Sequence, residues 1–400
     1  MGLVKRYKFL LILLLVGFLL RLPVSDGRSL YAHNELIRDL EIVKAMDGGN
    51  IPLAGPPSSL GSFRFGPVYY YLIFPLAKIF DFAPFSLALT SVISSLGVIG
   101  LSYLLIKKYR GDEKLAKLAA ILMTFSGFDI YFAKYASNPN FVPFFTLLFF
   151  FSLLLLLQKQ KTVYAVPLGI GLGIATQLHA APMIILPIIF ALSLYMFRKA
   201  IKAKSILLIF LTALIIYFPY LYFEYTSNFT NLLSLFSLTG KSPGSLSLYL
   251  DHLSQYTAFW LGPIINLFHS FNVVFYLSSL QIWLIAIALT GVIGSVFINK
   301  TRLRPTAENS AWPAEVKRIY FLWLAVPSLF FALPIITYDT FPIYYFLMLH
   351  PVVFFTYSLG LYHIYKRGWR LVFYYLFGFF FLLQAIQFAV YNQVVSNLKL

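Results

Sequence analysis

The densest run of chemically capable residues is Tyr31-Ala-His-Asn-Glu-Leu-Ile-Arg-Asp-Leu-Glu-Ile-Val-Lys-Ala-Met46. Leu36, Leu40 and Val43 recur at helical spacing, with Ile37 and Met46 beside them, so the segment is predicted to be an amphipathic helix. Asn34 is placed to cap its start, and Glu35 in the first turn suits the positive end of the helix dipole. Glu35 and Asp39 are four residues apart, so their carboxylates share one face, with Arg38 at its edge. Such a pair can serve as a general base, as metal ligands, or as both. The plainer alternative is a solvated polar face on a helix lying at an interface.

Four further segments carry polar groups in places where chemistry needs them. Gly55-Pro-Pro-Ser-Ser-Leu-Gly-Ser-Phe-Arg-Phe-Gly-Pro-Val-Tyr-Tyr-Tyr71 has an irregular backbone set by Gly and Pro, and it holds Arg64. A guanidinium there can clasp a phosphate; equally, it can be a solvated or snorkelling Arg. Lys134-Tyr-Ala-Ser-Asn-Pro-Asn140 breaks a helix, and its Asn138 and Asn140 amides can face a cavity or simply make the turn. Gln177-Leu-His179 places two polar side chains at the end of an apolar run, as a pathway or as satisfied packing residues. Tyr217-Phe-Pro-Tyr-Leu-Tyr-Phe-Glu224 ends another apolar run, and Glu224 can join the acids of the first segment or remain a boundary carboxylate. Asp251-His252 and Asp339 are weaker candidates. No phosphate-binding glycine loop, dinucleotide fingerprint or His-rich metal motif is present.

The elements that must position these residues are membrane helices. Apolar residues make up 60% of the chain and charged ones 11%, far from the quarter typical of soluble domains. The apolar residues form runs long enough to cross a bilayer core. Spans are expected at about 8–22, 86–106, 114–130, 140–157, 163–178, 181–197, 205–222, 275–298, 319–337, 342–364 and 370–391. The stretch 67–80 is too short to span and opens on Gly66-Pro67, so it is expected to lie at the interface. With that choice the cytoplasmic segments hold about 22 of the 31 Lys and Arg, as the positive-inside rule requires. Counting 67–80 as a span would put Lys107, Lys108, Arg110, Lys114 and Lys117 outside.

The expected fold is therefore an all-α integral membrane protein of about eleven transmembrane helices, one polytopic domain over residues 1–400. Interfacial helices occupy a large first extracytoplasmic loop, about 23–85, and a second outer loop spans about 223–274. The first helix reads as a retained anchor with a cytoplasmic N-terminus, and about ten of the fourteen carboxylates fall outside. The net charge of +17 is orientation charge and not a nucleic-acid surface, since no basic run is long enough to form a groove. There are no cysteines, which excludes disulfides, thiolate chemistry and Cys-bound zinc.

The order of these parts resembles the GT-C superfamily of membrane glycosyltransferases. It is most similar to the family-39-like group of protein O-mannosyltransferases and aminoarabinose transferases. The resemblance runs from the first helix and acidic outer helix through the Gly-Pro-Pro segment and aromatic interfacial helix. It continues through Asn138-Pro139-Asn140, Gln177-Leu-His179 and Pro219-Tyr-Leu-Tyr-Phe-Glu224, covering residues 1 to about 225; the last third matches in hydropathy alone.

The resemblance implies transfer of a sugar from a polyprenyl-phosphate donor to an acceptor on the extracytoplasmic face, with inversion. The partners it implies are that donor and membrane lipids, with the acceptor open and no nucleic acid. An acid in the first outer loop is the expected base. Asp39 matches best by position, while Glu35 takes the place of the earlier acid in the related pattern Asp-Gln-x-Arg-Asp, so which of the two is the base stays open. The familiar adjacent acidic pair is absent, so a divalent metal cofactor, with Asp39, Glu35 and Glu224 as candidate ligands, also stays open. A phosphate leaving group calls for cations, and Arg38, Arg64 and Lys134 are the candidates. Asn138, Asn140, Gln177, His179 and Glu224 are the candidate substrate contacts.

Two alternatives share the hydropathy pattern. A transporter or flippase of lipid-linked glycans would carry internal repeats and mid-membrane charge, whereas here the charge is crowded outside. A glycan polymerase would be expected to rely on outer Arg and His more than on an acidic helix.

Overall fold

The computed structural model describes residues 2–22, 33–58, 63–110, 112–237, 313–332 and 343–396. The expected span 275–298 lies outside them, as do Asp251, His252 and Asp339, while 319–337 and 342–364 are described in part. The described residues are helical, and extended pairing among them is a single antiparallel bridge between Pro57 and Arg64.

Every expected span within the described residues falls on helix. Helix α1 is Gly2–Arg21, α4 is Pro84–Arg110, and the span at 114–130 is the pair α5, Glu113–Thr124, and α6, Gly127–Ala133. A 3-10 turn at Asn138–Phe141 leads into α7, Val142–Lys159. Then come α8, Ala165–Leu178, α9, Ala180–Met196, α10, Ala203–Thr226, and the short α11, Thr230–Ser237. Beyond the undescribed stretch lie α12, Ala314–Ala332, α13, His350–Lys366, and α14, Arg370–Ser396. Among the described residues four helices are long and apolar enough to cross a bilayer, or five with the bent pair taken as one span. Of the eleven expected spans, 275–298 lies outside the described residues and 319–337 is described in part, and others fall short for a physical reason. A break at His179 leaves α8 and α9 short, and α1 carries Lys5, Arg6, Lys8 and Arg21 within its length.

Two devices hold the bundle. Helix α8 is squeezed between α7 and α10 by glycines on opposite sides. A Cβ on Gly171 would sit 2.7 Å from the backbone nitrogen of Phe149 on α7, and one on Gly169 would sit 2.7 Å from the Ile209 carbonyl oxygen on α10. Small residues permit the close backbone approach on which helix packing in lipid depends. The second device is the 57° bend between α5 and α6. Ending α5 at Thr124 leaves carbonyls without intrahelical donors. The wholly buried Arg21 guanidinium supplies them, donating to Met123 O and Thr124 O at 2.8 Å each, with Ser95 Oγ as a third acceptor at 2.9 Å. Ser126 then caps α6 by accepting from the Asp129 amide, and Asp129 faces His350 at 2.8 Å.

Two helices lie between α1 and α4, as the short amphipathic pattern predicts. They are α2, His33–Asp47, and α3, Val68–Ile79. Asp39 meets Tyr69 and Asp47 meets Lys78, so the two helices run side by side in the same direction. The Lys78–Asp47 pair, at 2.5 Å, is exposed and contributes at most about 1 kcal/mol. Burial of the apolar faces does more. Val43 is wholly buried and Leu36, Leu40 and Met46 pack against the core from α2, while Tyr69, Tyr70, Ile73 and Ala77 are wholly buried from α3.

Candidate functional site

Asp39 lies on the same face of α2 as Leu36 and Val43, and α3 closes over that face. The carboxylate is thereby 1% exposed, so the solvated-face alternative does not describe it. Its Oδ1 accepts from Arg38 Nε at 2.9 Å and Nη2 at 2.8 Å, and its Oδ2 accepts from the Tyr69 hydroxyl at 2.7 Å. Burial pushes the Asp39 carboxyl above its ordinary range, against the pull of Arg38 and of the phenolic hydrogen bonds. Glu35, one turn earlier, stays at the half-buried rim. Burial raises it too; Arg38 opposes the rise and the Asp39 charge adds to it. Helix α2 opens at His33, one residue before the expected cap Asn34, whose side chain lies outside the described residues.

The Tyr70 hydroxyl is the meeting point of the charged groups. It is buried, lies within reach of Asp39 and Arg38 without forming a well-shaped hydrogen bond to either, and feels the charges of Asp39, Arg38 and Arg64. Burial, then the Asp39 charge, hold both Tyr69 and Tyr70 above the ordinary phenol range, so both are proton donors at any working pH. A buried hydroxyl held this loosely by its neighbours has capacity left for a ligand oxygen.

Arg64 arrives in this neighbourhood on a tight double strand. Gly55 N donates to Phe65 O at 2.7 Å, Phe65 N to Pro56 O at 3.0 Å and Ser58 N to Phe63 O at 2.7 Å. The strands approach so closely that a Cβ on Gly55 would fall 2.0 Å from Gly66 O. The Arg64 side chain remains exposed, with one contact of 3.3 Å from Nη1 to Gly55 O. An exposed guanidinium whose charge reaches Tyr70 suits an anionic ligand.

Of the other sequence candidates, Gln177 and His179 back this loop. Gln177 is buried against Gly66, and its Nε2 ties α8 to α10 by donating to Gly173 O at 3.2 Å and Ile216 O at 3.1 Å, while its Oε1 has no partner. His179 stacks on Phe65 with ring centroids 5.8 Å apart, and its Nδ1 caps α9 by accepting from the Ala181 amide. Asn138 donates to Leu178 O beneath His179. Asn140 donates to Phe132 O at 2.6 Å and Tyr135 O at 2.8 Å, closing the end of α6, and its Oδ1 has no partner. Lys134 is buried with its ammonium 4.9 Å above the Phe388 ring, which ties it to α14. Glu224 accepts from Asn231 Nδ2 at 2.6 Å and from the Leu232 amide at 3.1 Å, so it caps α11.

The structure thus brings Glu35, Arg38, Asp39 and Arg64 together and leaves Glu224 with α11. Among the described residues, no three His, Asp or Glu side chains converge closely enough to hold a metal ion. The donor set at Asp39 fits a divalent cation poorly, because Arg38 and Tyr69 already engage both oxygens and a guanidinium occupies the adjoining position. Sequence reasoning missed Tyr69, Tyr70, Tyr220 and Asn231. Tyr69 and Tyr70 read as part of an interfacial helix, and nothing in their spacing points to an acid about thirty residues away.

Residues 64–223 match the family model described as dolichyl-phosphate-mannose-protein mannosyltransferase. That stretch begins at Arg64 and stops one residue short of Glu224, so α2 with Glu35 and Asp39 lies ahead of it. No characterised protein sequence gives a significant match. Crystal structures of ArnT from Cupriavidus metallidurans share the fold. The undecaprenyl phosphate-bound structure aligns with a TM-score of 0.59 at 12% identity, covering 91% of this chain and 61% of that one. The apo structure aligns with a TM-score of 0.58 at 14% identity, covering 92% and 61%. At these identities the likeness is one of fold, and this chain spans about three-fifths of the ArnT chain it matches.

Proposed function

We propose that the chain is a membrane glycosyltransferase that takes a sugar from a polyprenyl-phosphate donor and transfers it to an acceptor on the extracytoplasmic face. One observation carries the reading: a buried carboxylate with a raised proton affinity is paired with Arg38 and shares the neighbouring phenol of Tyr70 with the exposed guanidinium of Arg64. The ArnT fold supports it, as does the undecaprenyl phosphate bound in one of the ArnT crystals. So does the mannosyltransferase family match that opens at Arg64. We also carry forward eleven spans in one membrane domain with a cytoplasmic N-terminus, on the strength of the charge distribution.

In this reading Asp39 is the base, its proton affinity raised by burial, and Glu35 stands at the rim one turn earlier. Asp39 accepts the proton of an acceptor hydroxyl or amine as that atom attacks the anomeric carbon. The bond between the anomeric carbon and the phosphate oxygen breaks on the opposite face, so configuration inverts. The departing polyprenyl phosphate carries the electron pair away, and no general acid is needed. Arg64 meets the phosphate charge, and Arg38 holds Asp39 while adding positive potential. Tyr70 donates its hydroxyl to a donor oxygen. Lys134 stands as a further cation for the carrier, Gln177 and His179 back the Arg64 loop, and Asn138 and Asn140 stand as further substrate contacts.

The test uses the full chain in lipid nanodiscs with undecaprenyl-phosphate-linked hexoses and pentoses, envelope lipids and glycans as acceptors, and release of undecaprenyl phosphate as the readout. Asp39→Asn is expected to bind undecaprenyl phosphate as the parent does and to lose about 10²- to 10⁴-fold in turnover, the usual contribution of a general base. Turnover at the parent rate in Asp39→Asn sinks the assignment. Carriage of the intact donor across vesicles without sugar release would favour a transporter.

A further inference from the structure

Among the described residues, the second outer segment bonds to the first through Asn231 on α11. Its amide pairs with the main chain of Arg64 as a neighbouring strand would. Arg64 N donates to Asn231 Oδ1 at 2.7 Å, and Asn231 Nδ2 donates to Arg64 O at 3.2 Å. Tyr220 adds a second donor to the same Arg64 carbonyl at 3.1 Å. Asn231 is itself fixed. It is 9% exposed, its Nδ2 lies 2.8 Å from the Tyr220 hydroxyl and 2.6 Å from Glu224 Oε1, and Glu224 is 2% exposed. Glu224 Oε2 takes the Leu232 amide at 3.1 Å, so one carboxylate both caps α11 and orients the clamp.

The arrangement treats Arg64 unequally. Its main chain is held at both polar atoms by α10 and α11, while its side chain is left exposed with one long hydrogen bond. Structural arginines are usually held by their guanidinium, as Arg21 is here. Holding the backbone and freeing the head is what a ligand-binding cation needs, because the charge is aimed without being satisfied.

We infer that Asn231, oriented by Glu224, is a positioning residue that aims Arg64 at the donor phosphate, so that the second outer segment sets donor affinity without touching the donor. This deepens the reading above and rests on it for the identity of the ligand. It also gives Glu224 a role at one remove from the substrate.

Two measurements separate the clamp from the ligand. Hydrogen exchange followed by mass spectrometry on the full chain in nanodiscs reads the Arg64 amide without any need for activity. Asn231→Ala is expected to speed exchange in residues 63–66 while leaving α3 unchanged, and unchanged exchange overturns the inference. Transfer kinetics with undecaprenyl-phosphate-linked sugar read the consequence. Asn231→Ala is expected to raise the donor KM by about ten-fold, the loss of roughly one well-made hydrogen bond, with kcat held within about two-fold. In an Arg64→Ala background the same change is expected to add nothing to KM. An effect that adds in full, or falls on kcat alone, shows a merely structural role and overturns the inference. Faster exchange with no change of KM in either Asn231→Ala or Arg64→Ala removes Arg64 from the donor site, which overturns the donor half of the proposed function while the clamp stands.

Discussion

Replacing Tyr69 with Phe removes a single oxygen from beside Asp39 and keeps the ring that closes the site. The bond lost is the 2.7 Å contact to Asp39 Oδ2. A hydrogen bond to a charged acceptor is worth about 1.5–3 kcal/mol. Burial holds Asp39 up, and Arg38 and Tyr69 pull it down, so taking the phenol away moves it further up. At about 1.36 kcal/mol per pH unit, the acid limb of kcat/KM for sugar transfer should rise by roughly one to two pH units. The plateau on the alkaline side should survive, because the carboxylate is still present once ionised. The assay is the pH profile of kcat/KM for parent and Tyr69→Phe in the same nanodiscs with the same donor. Stability gives a second reading with its own sign. An acid whose folded proton affinity is raised contributes most below its unfolded pKa and loses that contribution as pH rises through the folded one. Tyr69→Phe therefore costs more melting temperature near about pH 8 than near about pH 4. An acid limb that stays put, or moves down, refutes the idea that the Asp39 carboxylate is the working base.

Three further changes probe the frame around the site. Asp39→Asn removes a charge whose burial outweighs its pairing, so the variant should melt higher than the parent at neutral pH while losing transfer, as thermal denaturation would show. Gly55→Ala sets a Cβ 2.0 Å from the Gly66 carbonyl oxygen, a backbone atom that cannot rotate away, and should cost about 1–3 kcal/mol together with faster exchange across 55–66. Arg21→Met strips the donors from the end of α5 and the neighbouring positive charge from Asp129. A loss of about 3–5 kcal/mol is expected, seen as a lower melting temperature and yield, with Arg21→Lys recovering only part.

Hydropathy is a local property, and what depends on it was legible residue by residue. The helices at 84–110, 138–159, 203–226 and 350–366 lie where the apolar runs are, and 68–79 is the short helix that Gly66-Pro67 announced. The shared face of Glu35 and Asp39 follows from helical periodicity alone. What local pattern cannot express is which of two acids on one face is sealed from water. That was decided by α3, packed parallel to α2 from thirty residues away, which buries Asp39 and hands it Tyr69 while leaving Glu35 at the rim.

Glu224 makes the same point in reverse. As a boundary carboxylate it looked available to join the other acids, yet the amide of Asn231 and the start of α11 claim both its oxygens. By itself the sequence determined a helical membrane protein with a cluster of acids in the segment after its first helix, because chain composition sets what each stretch can exchange with lipid and water. Only the tertiary structure decided which of those acids is dry, which cation is left free and what aims it. Desolvation and hydrogen bonding depend on neighbours brought together by packing, and those neighbours are far apart along the chain.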